Sequence, residues 1–243
     1  MLATSGRTWP TPAMPWVMEQ VWNDLLFMHW PIDVAVMREL VPRALPLDTF
    51  DGRAWIGVVP FWMSGVRPRL VPPVPGLSRF PELNVRTYVT IDDKPGVYFF
   101  SLDASNRPAV AAARAYGLPY FRARMSVAWR DGWVEYASQR THRGAPRASL
   151  RMRYRPVGPV MDDVTLGTLD WWLTERYCLY VVGGDGVPRR LEIDHPRWPL
   201  QPAEAEIEAN SMTVQLGLPL PDVPPLLHFA RRQKMVAWPK VRA

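Results

Sequence analysis

The chain has 243 residues, 48 % apolar and 21 % charged, with 29 basic and 23 acidic side chains and a net charge of +6. That balance excludes a disordered or low-complexity chain, and a chain of this length buries enough surface to need no disulfide or metal staple. The single cysteine, Cys178, excludes an internal disulfide and fits a reducing compartment.

Residues 1–15 read as an N-terminal arm, with three prolines, one arginine and no apolar core of a leader peptide. Residues 16–230 read as one domain and 231–243 as a basic tail. No apolar run is long enough to span a membrane as a helix, so a cytoplasmic protein without a membrane span is expected. Asp33 is placed to cap a helix over 34–40, which ends before Pro42. Residues 53–62 are aromatic and β-branched and predict a strand. The proline-rich stretch 67–81 predicts an ordered loop or lid. Strict alternation over 82–91, turn chemistry over 92–96 and a partner strand over 97–103 follow. A helix is predicted over 107–116, opened by Ser105 or Asn106 with Pro108 in its first turn and closed by Gly117. Strands over 122–129 and 133–139 flank a short glycine loop, and 149–155 alternates again. A second break covers 155–163, and 166–177 reads as helical in its first half. Strands over 176–182 and 188–193 flank a Gly-Gly-Asp-Gly-Val turn, 203–209 reads as a short acidic helix, and 211–216 as a last strand. The sum is α+β, mainly antiparallel β, a closed or strongly curved barrel with three or four short outer helices.

The charge is unevenly placed. Arg231, Arg232, Lys234, Lys240 and Arg242 have no acidic neighbour in the tail, and without them the balance is 24 basic to 23 acidic residues. The body is therefore near neutral, which argues against a specific nucleic-acid partner, and the tail reads as a solvated end or a clasp on acidic side chains. Only Lys94, Lys234 and Lys240 are lysines, so the basic complement is arginine, suited to fixed recognition of carboxylates.

Phosphate-loop, nucleophile-elbow and paired-histidine zinc signatures are absent from the sequence. His29, His142, His195 and His228 are widely spaced, Cys178 sits in an apolar strand-like run, and Gly183–Gly186 reads as a turn. No metal and no other cofactor is expected.

Period two over 80–90 puts Glu82, Asn84, Arg86, Tyr88 and Thr90 on one face and Leu83, Val85, Thr87 and Val89 on the other. Such a face is either a solvated side of a sheet or the lining of a barrel cavity that holds a small polar ligand. In the second case Arg86 binds a carboxylate and Glu82 serves as acid or base, although a plain Glu82–Arg86 ion pair competes. Val97, Phe99, Ser101 and Asp103 share a face of the next strand. Arg114 ends the following helix, where a cation also stabilises the dipole, and Tyr120 projects from the corner after Gly117.

Several stretches together resemble the YqjF-like family of unknown function: 22–31, 45–61, 80–89, 97–103, 113–121, 173–180 and 195–200. That family is distantly similar to the acetoacetate decarboxylase-like superfamily. The resemblance implies a closed antiparallel barrel around a small-acid pocket. Glu82 resembles the glutamate of a strand entering that barrel. The stretch 109–121, with Arg114, Gly117 and Pro119 in step, resembles the superfamily's helix and Gly-aromatic-Pro-Lys-Lys corner. Here the two lysine positions hold Tyr120 and Phe121. One of those lysines forms a Schiff base with the substrate ketone, and tyrosine cannot.

The expected site therefore has Glu82 and Tyr120 as catalytic groups and Asn84, Arg86, Tyr88, Asp103 and Arg114 as substrate-binding groups. Three readings stay open: an enzyme acting on an oxo acid by acid/base chemistry without a Schiff base, of lyase or hydratase type; a carrier or sensor of a small carboxylate or carbonyl ligand; and a structural protein whose tryptophans and 67–81 loop form a homo-oligomer face.

Overall fold

The structure, a computed structural model, describes residues 6–243; the first five positions of the expected arm lie outside the described residues. In chain order the elements are β1 (Met18–Ile32), α1 (Val34–Leu40), β2 (Ala54–Pro68), β3 (Phe80–Ile91), β4 (Lys94–Ala104) and α2 (Arg107–Ala115). There follow β5 (Tyr120–Arg130), β6 (Trp133–Arg140), β7 (Ser149–Pro156), α3 (Leu169–Thr174), β8 (Cys178–Val182), β9 (Pro188–Asp194), β10 (Gln201–Asn210), β11 (Leu226–Ala237) and β12 (Val241–Arg242).

Hydrogen bonding orders the strands β12-β9-β8-β4-β3-β2-β1-β11-β10-β7-β6-β5, and two further pairings, β4–β5 and β9–β11, close the sheet twice. One closure makes a nine-strand barrel from β1–β7, β10 and β11. The other makes a seven-strand ring from β1–β4, β8, β9 and β11. The strands β1–β4 and β11 belong to both and form a common wall. Most pairings are antiparallel; β4 pairs in parallel with β5 and with β8.

A wall strand with protein on both sides is buried on both faces. On β3 the odd side, Leu83, Val85 and Val89, enters the filled apolar core of the nine-strand barrel with Leu26, Met28, Tyr136, Met152 and Tyr154. The even side looks into the seven-strand ring. On β1 the sides exchange at Asp24, a non-glycine residue at φ +46°. Met18, Gln20 and Trp22 face the ring before it, and Leu25 and Phe27 after it. Its carboxylate accepts from the indole nitrogens of Trp62 at 2.8 Å and Trp129 at 2.9 Å and from Arg231 at 3.0 Å, so one side chain ties β1 to β2, β5 and β11.

The seven-strand ring closes through a narrow contact, Val97 opposite Leu179 and Tyr98 opposite Tyr180. Gly96 permits it: a Cβ there would lie 2.6 Å from the Cys178 sulfur and 2.7 Å from the Cys178 carbonyl oxygen.

Three expectations are corrected. The acidic helix over 203–209 is strand β10, because Glu204, Glu206 and Glu208 alternate along it and meet Arg155, Arg153 and Arg151 of β7. Alanine and glutamate favour a helix locally, but the period is that of a strand. The strand over 211–216 is a turn and a short 3-10 helix, Val214–Leu216. The boundary expected at 230/231 falls inside β11, which runs to Ala237 in the common wall; of the two readings of the basic segment the clasp on acidic side chains is the observed one, with Lys234 on Glu19 and Arg231 on Asp24, and β12 joins β9.

Candidate functional site

The seven-strand ring encloses a cavity of about 720 Å³ that opens beside α2. Its lining follows from parity. Phe80, Glu82, Asn84 and Arg86 come from the even side of β3, and Val59, Phe61 and Met63 from the odd side of β2. Leu191, Ile193 and Met235 come from β9 and β11. Helix α2, capped by the Asn106 side chain on Ala109 N at 3.0 Å, lays Ala109, Ala112, Ala113 and Tyr116 over one side. That is the i, i+3, i+4, i+7 spacing of a single helical face.

Glu82 is 4 % exposed and Tyr120 donates to its Oε2 at 2.8 Å. Burial pushes the Glu82 carboxyl up to about 8, against the lowering effect of the Tyr120 hydrogen bond. Burial also pushes the Tyr120 phenol well above its ordinary value, and the adjacent Glu82 adds to the shift. The corner after α2 fixes this contact. Gly117 sits at φ +86°, Leu118 N donates to Ala113 O at 3.0 Å, and Tyr120 starts β5 alongside Leu102.

Four residues along β3, roughly 13 Å by strand rise, lies a second polar cluster. Arg86 is 8 % exposed; its Nη2 donates to Leu173 O at 3.1 Å and to Tyr88 OH at 3.4 Å, and its guanidinium lies over Phe27. Arg176 is 4 % exposed, bonds Asp48 and Trp172 O at 2.6 Å each, and lies over the Tyr88 ring. Burial lowers the Arg176 pKa and Asp48 opposes that shift. Arg86 Nε, Arg176 Nη2 and Asn84 Oδ1 are buried and have no hydrogen-bond partner among the described residues. All three belong to side chains that line the cavity. Glu82 and Arg86 do not pair with each other: each takes other partners.

The structure thus brings Glu82, Asn84, Arg86 and Tyr120 to one cavity and places three expected site residues elsewhere. Tyr88 lies behind the lining under α3, its hydroxyl 2.6 Å from His29 Nε2. Asp103 faces the nine-strand barrel, where it makes a two-pronged buried pair with Arg140 at 2.7 and 2.5 Å. The cause is a register slip between β3 and β4. Val85 pairs with Ser101 but Arg86 with Phe99, so the cavity side of β4 reads Val97, Phe99, Leu102. Arg114 is exposed and donates to Tyr120 O at 2.8 Å, holding the corner from outside.

Arg176 and His195 are buried ionisable lining residues outside the expected set. Arg176 follows α3. His195 follows β9 and stacks on Tyr177 at 4.4 Å, with Nδ1 2.8 Å from Pro196 O. Burial lowers its pKa. Both fall within stretches that carry the family resemblance, but neither sits on an element whose pattern points inward. Three tryptophans, Trp22, Trp198 and Trp238, also line the cavity. No group of three or more His, Cys, Asp or Glu among the described residues is arranged to hold a metal ion, and no helix among them is long and apolar enough to cross a membrane.

A family described as an uncharacterized conserved protein, DUF2071, matches residues 19–234. The uncharacterized protein YqjF of Bacillus subtilis (strain 168) is 46 % identical over 225 residues, 92 % of this chain and 91 % of that protein. Among solved structures, an acetoacetate decarboxylase is similar with a TM-score of 0.60 at 15 % identity, covering 96 % of this chain and 92 % of the other. An acetoacetate decarboxylase-like enzyme from Sphingomonas wittichii RW1 has a TM-score of 0.59 at 13 % identity, covering 98 % of each chain. The enduracididine biosynthesis enzyme MppR, complexed with pyruvate, has a TM-score of 0.58 at 10 % identity, covering 98 % of this chain and 93 % of the other. At these identities the three structures share the fold.

Proposed function

The chain belongs to the DUF2071 family and has an acetoacetate decarboxylase-like barrel fold, and from that premise we propose that it binds an oxo acid in the seven-strand cavity and moves a proton on it. The observation that carries this reading is the buried Arg86. It lines the cavity, it donates to the neutral oxygens of Leu173 and Tyr88, and its Nε has no partner among the described residues. A buried guanidinium in that state favours a carboxylate, and Arg176 beside it adds a second unpartnered N–H. MppR, of the same fold, has been solved complexed with pyruvate.

The proton-moving group is Glu82. A pKa of about 8 keeps the carboxyl mostly neutral near pH 7 and leaves a fraction ionised, the range in which one group both gives and takes a proton. In its ionised form Glu82 removes the proton from the carbon beside the substrate carbonyl. The Tyr120 hydroxyl then turns from Glu82 to the enolate oxygen and hydrogen-bonds it. Return of the proton to carbon restores Glu82. No covalent step is involved, consistent with Tyr120 and Phe121 standing where the decarboxylases hold lysines.

The test is exchange of the protons next to the carbonyl of oxo acids in D2O, from short 2-oxo and 3-oxo acids to chains long enough to reach Glu82 from Arg86, followed by proton NMR alongside turnover. Exchange by the wild-type protein that falls about 100-fold or more in Glu82→Gln and drops in Tyr120→Phe supports the reading. Wild-type rates in both variants overturn it. The lost lysine favours a second reading, a carrier of the same ligands, and binding without any exchange assigns that one.

A further inference from the structure

The cavity is divided along its length, and the division specifies a ligand. Its deeply buried polar groups include Glu82, Arg86 and Arg176, each less than one-tenth exposed. Toward the opening the lining is mostly apolar and progressively wetter, ending at Val17 and Tyr116, 43 % and 40 % exposed; its polar members there are Gln20 and Arg67, the latter held by Glu19 at 3.0 Å. The stretch between is walled by Met63, Leu191, Ile193 and Met235, with the alanine face of α2 across from them. A ring of so few strands ordinarily fills its own interior with side chains. Here Ala109, Ala112 and Ala113 present methyl groups where larger residues of that helical face would occupy the space. The volume, about 720 Å³, lies well up the range of ligand cavities. A short acid held at Arg86 leaves most of the apolar length in contact with nothing.

We propose that the ligand is an amphipathic monocarboxylate whose carboxylate sits at Arg86 and Arg176 and whose extended apolar chain runs past Glu82 toward α2. The proposal rests on the carboxylate reading of the cavity and adds the chain. The shape of the lining supplies the length preference, with Ala113 as its specificity residue.

The experiment is calorimetric titration of the full chain with acetate, butanoate, octanoate and dodecanoate below micelle formation, with octanol as the uncharged control. Affinity is expected to rise about two- to fourfold per methylene as the chain fills the wall. Arg86→Met should weaken octanoate at least tenfold and leave octanol unchanged. Ala113→Trp should weaken octanoate and dodecanoate at least tenfold and leave butanoate within twofold. Thermal melting of each variant with and without ligand identifies one that has not folded, and Ala112→Phe then replaces Ala113→Trp. Binding that is flat with chain length, or long-chain binding unaffected by both α2 substitutions, overturns the amphipathic ligand while leaving the small-acid reading standing. Failure of every carboxylate to bind overturns both.

Discussion

The Tyr120 hydroxyl donates to Glu82 Oε2 at 2.8 Å, across the contact where the corner after α2 meets the common wall. It joins a carboxyl held largely neutral by burial to a phenol that gains nothing by ionising, so the pair keeps its protons at neutral pH.

The raised Glu82 pKa makes stability fall with pH. Below the ordinary carboxyl value of 4.5 both folded and unfolded states are protonated and Glu82 costs nothing. As pH rises toward about 8 the unfolded chain ionises first and stability declines; above about 8 the full cost, on the order of 5 kcal/mol, is present. Glu82→Gln should flatten the decline and melt higher than the wild type at pH 9. Melting curves between pH 4 and pH 9 check it, and parallel curves for the two proteins would sink the argument.

Asp103 and Arg140 have side chains 0 % and 1 % exposed. Removing Asp103 leaves a guanidinium buried without its charge partner, so Asp103→Ala should cost about 3–5 kcal/mol in urea denaturation. Replacing both residues, as in Asp103→Leu with Arg140→Met, should cost less than the single change. Because Asp103 faces away from the cavity, the folded single variant should bind octanoate as the wild type does. A large loss of affinity would contradict its placement.

Asp24 holds two indoles and a guanidinium from three strands. Asp24→Ala should lose about 2–4 kcal/mol, from three donors left without an acceptor and from a side chain poorly suited to φ +46°. Asp24→Asn keeps an acceptor oxygen and tolerates that backbone, so it should lose less. Equal losses in urea denaturation would show that the hydrogen bonds contribute little.

Cys178 is buried, and desolvation pushes its thiol up to about 11. A disulfide reagent at pH 8 should titrate no thiol in the folded protein and one after denaturation. Rapid labelling of the native chain would contradict the closed β4–β8 contact.

Legibility in the sequence varied with how local the cause was. The α1 and α2 boundaries follow from Asp33, Asn106 and Gly117, whose effects reach only a turn away. The two faces of β3 are plain in its alternation, but the sequence cannot say whether its polar side meets water or a cavity, because that depends on β8 and β9 closing the ring. Counting in twos groups Asp103 with Val97 and Phe99, and a single slipped pair between β3 and β4 breaks the count. The length of β1 was hidden by the same kind of event at Asp24. Arg176 shares the cavity with Arg86 from 90 positions away in the chain, a relation carried by topology and by no spacing.

The common wall also divides the consequences of mutation by position number. On β3 an odd residue answers to the filled barrel, where a lost methyl group is felt as lost stability. The even residues from Phe80 to Arg86 answer to the cavity, where a change of side chain alters its shape and charge. Phe80, Glu82, Asn84 and Arg86 line the cavity, while Leu83, Val85 and Val89 pack in the barrel core. A library varying only those four cavity positions would change the cavity on an unchanged scaffold.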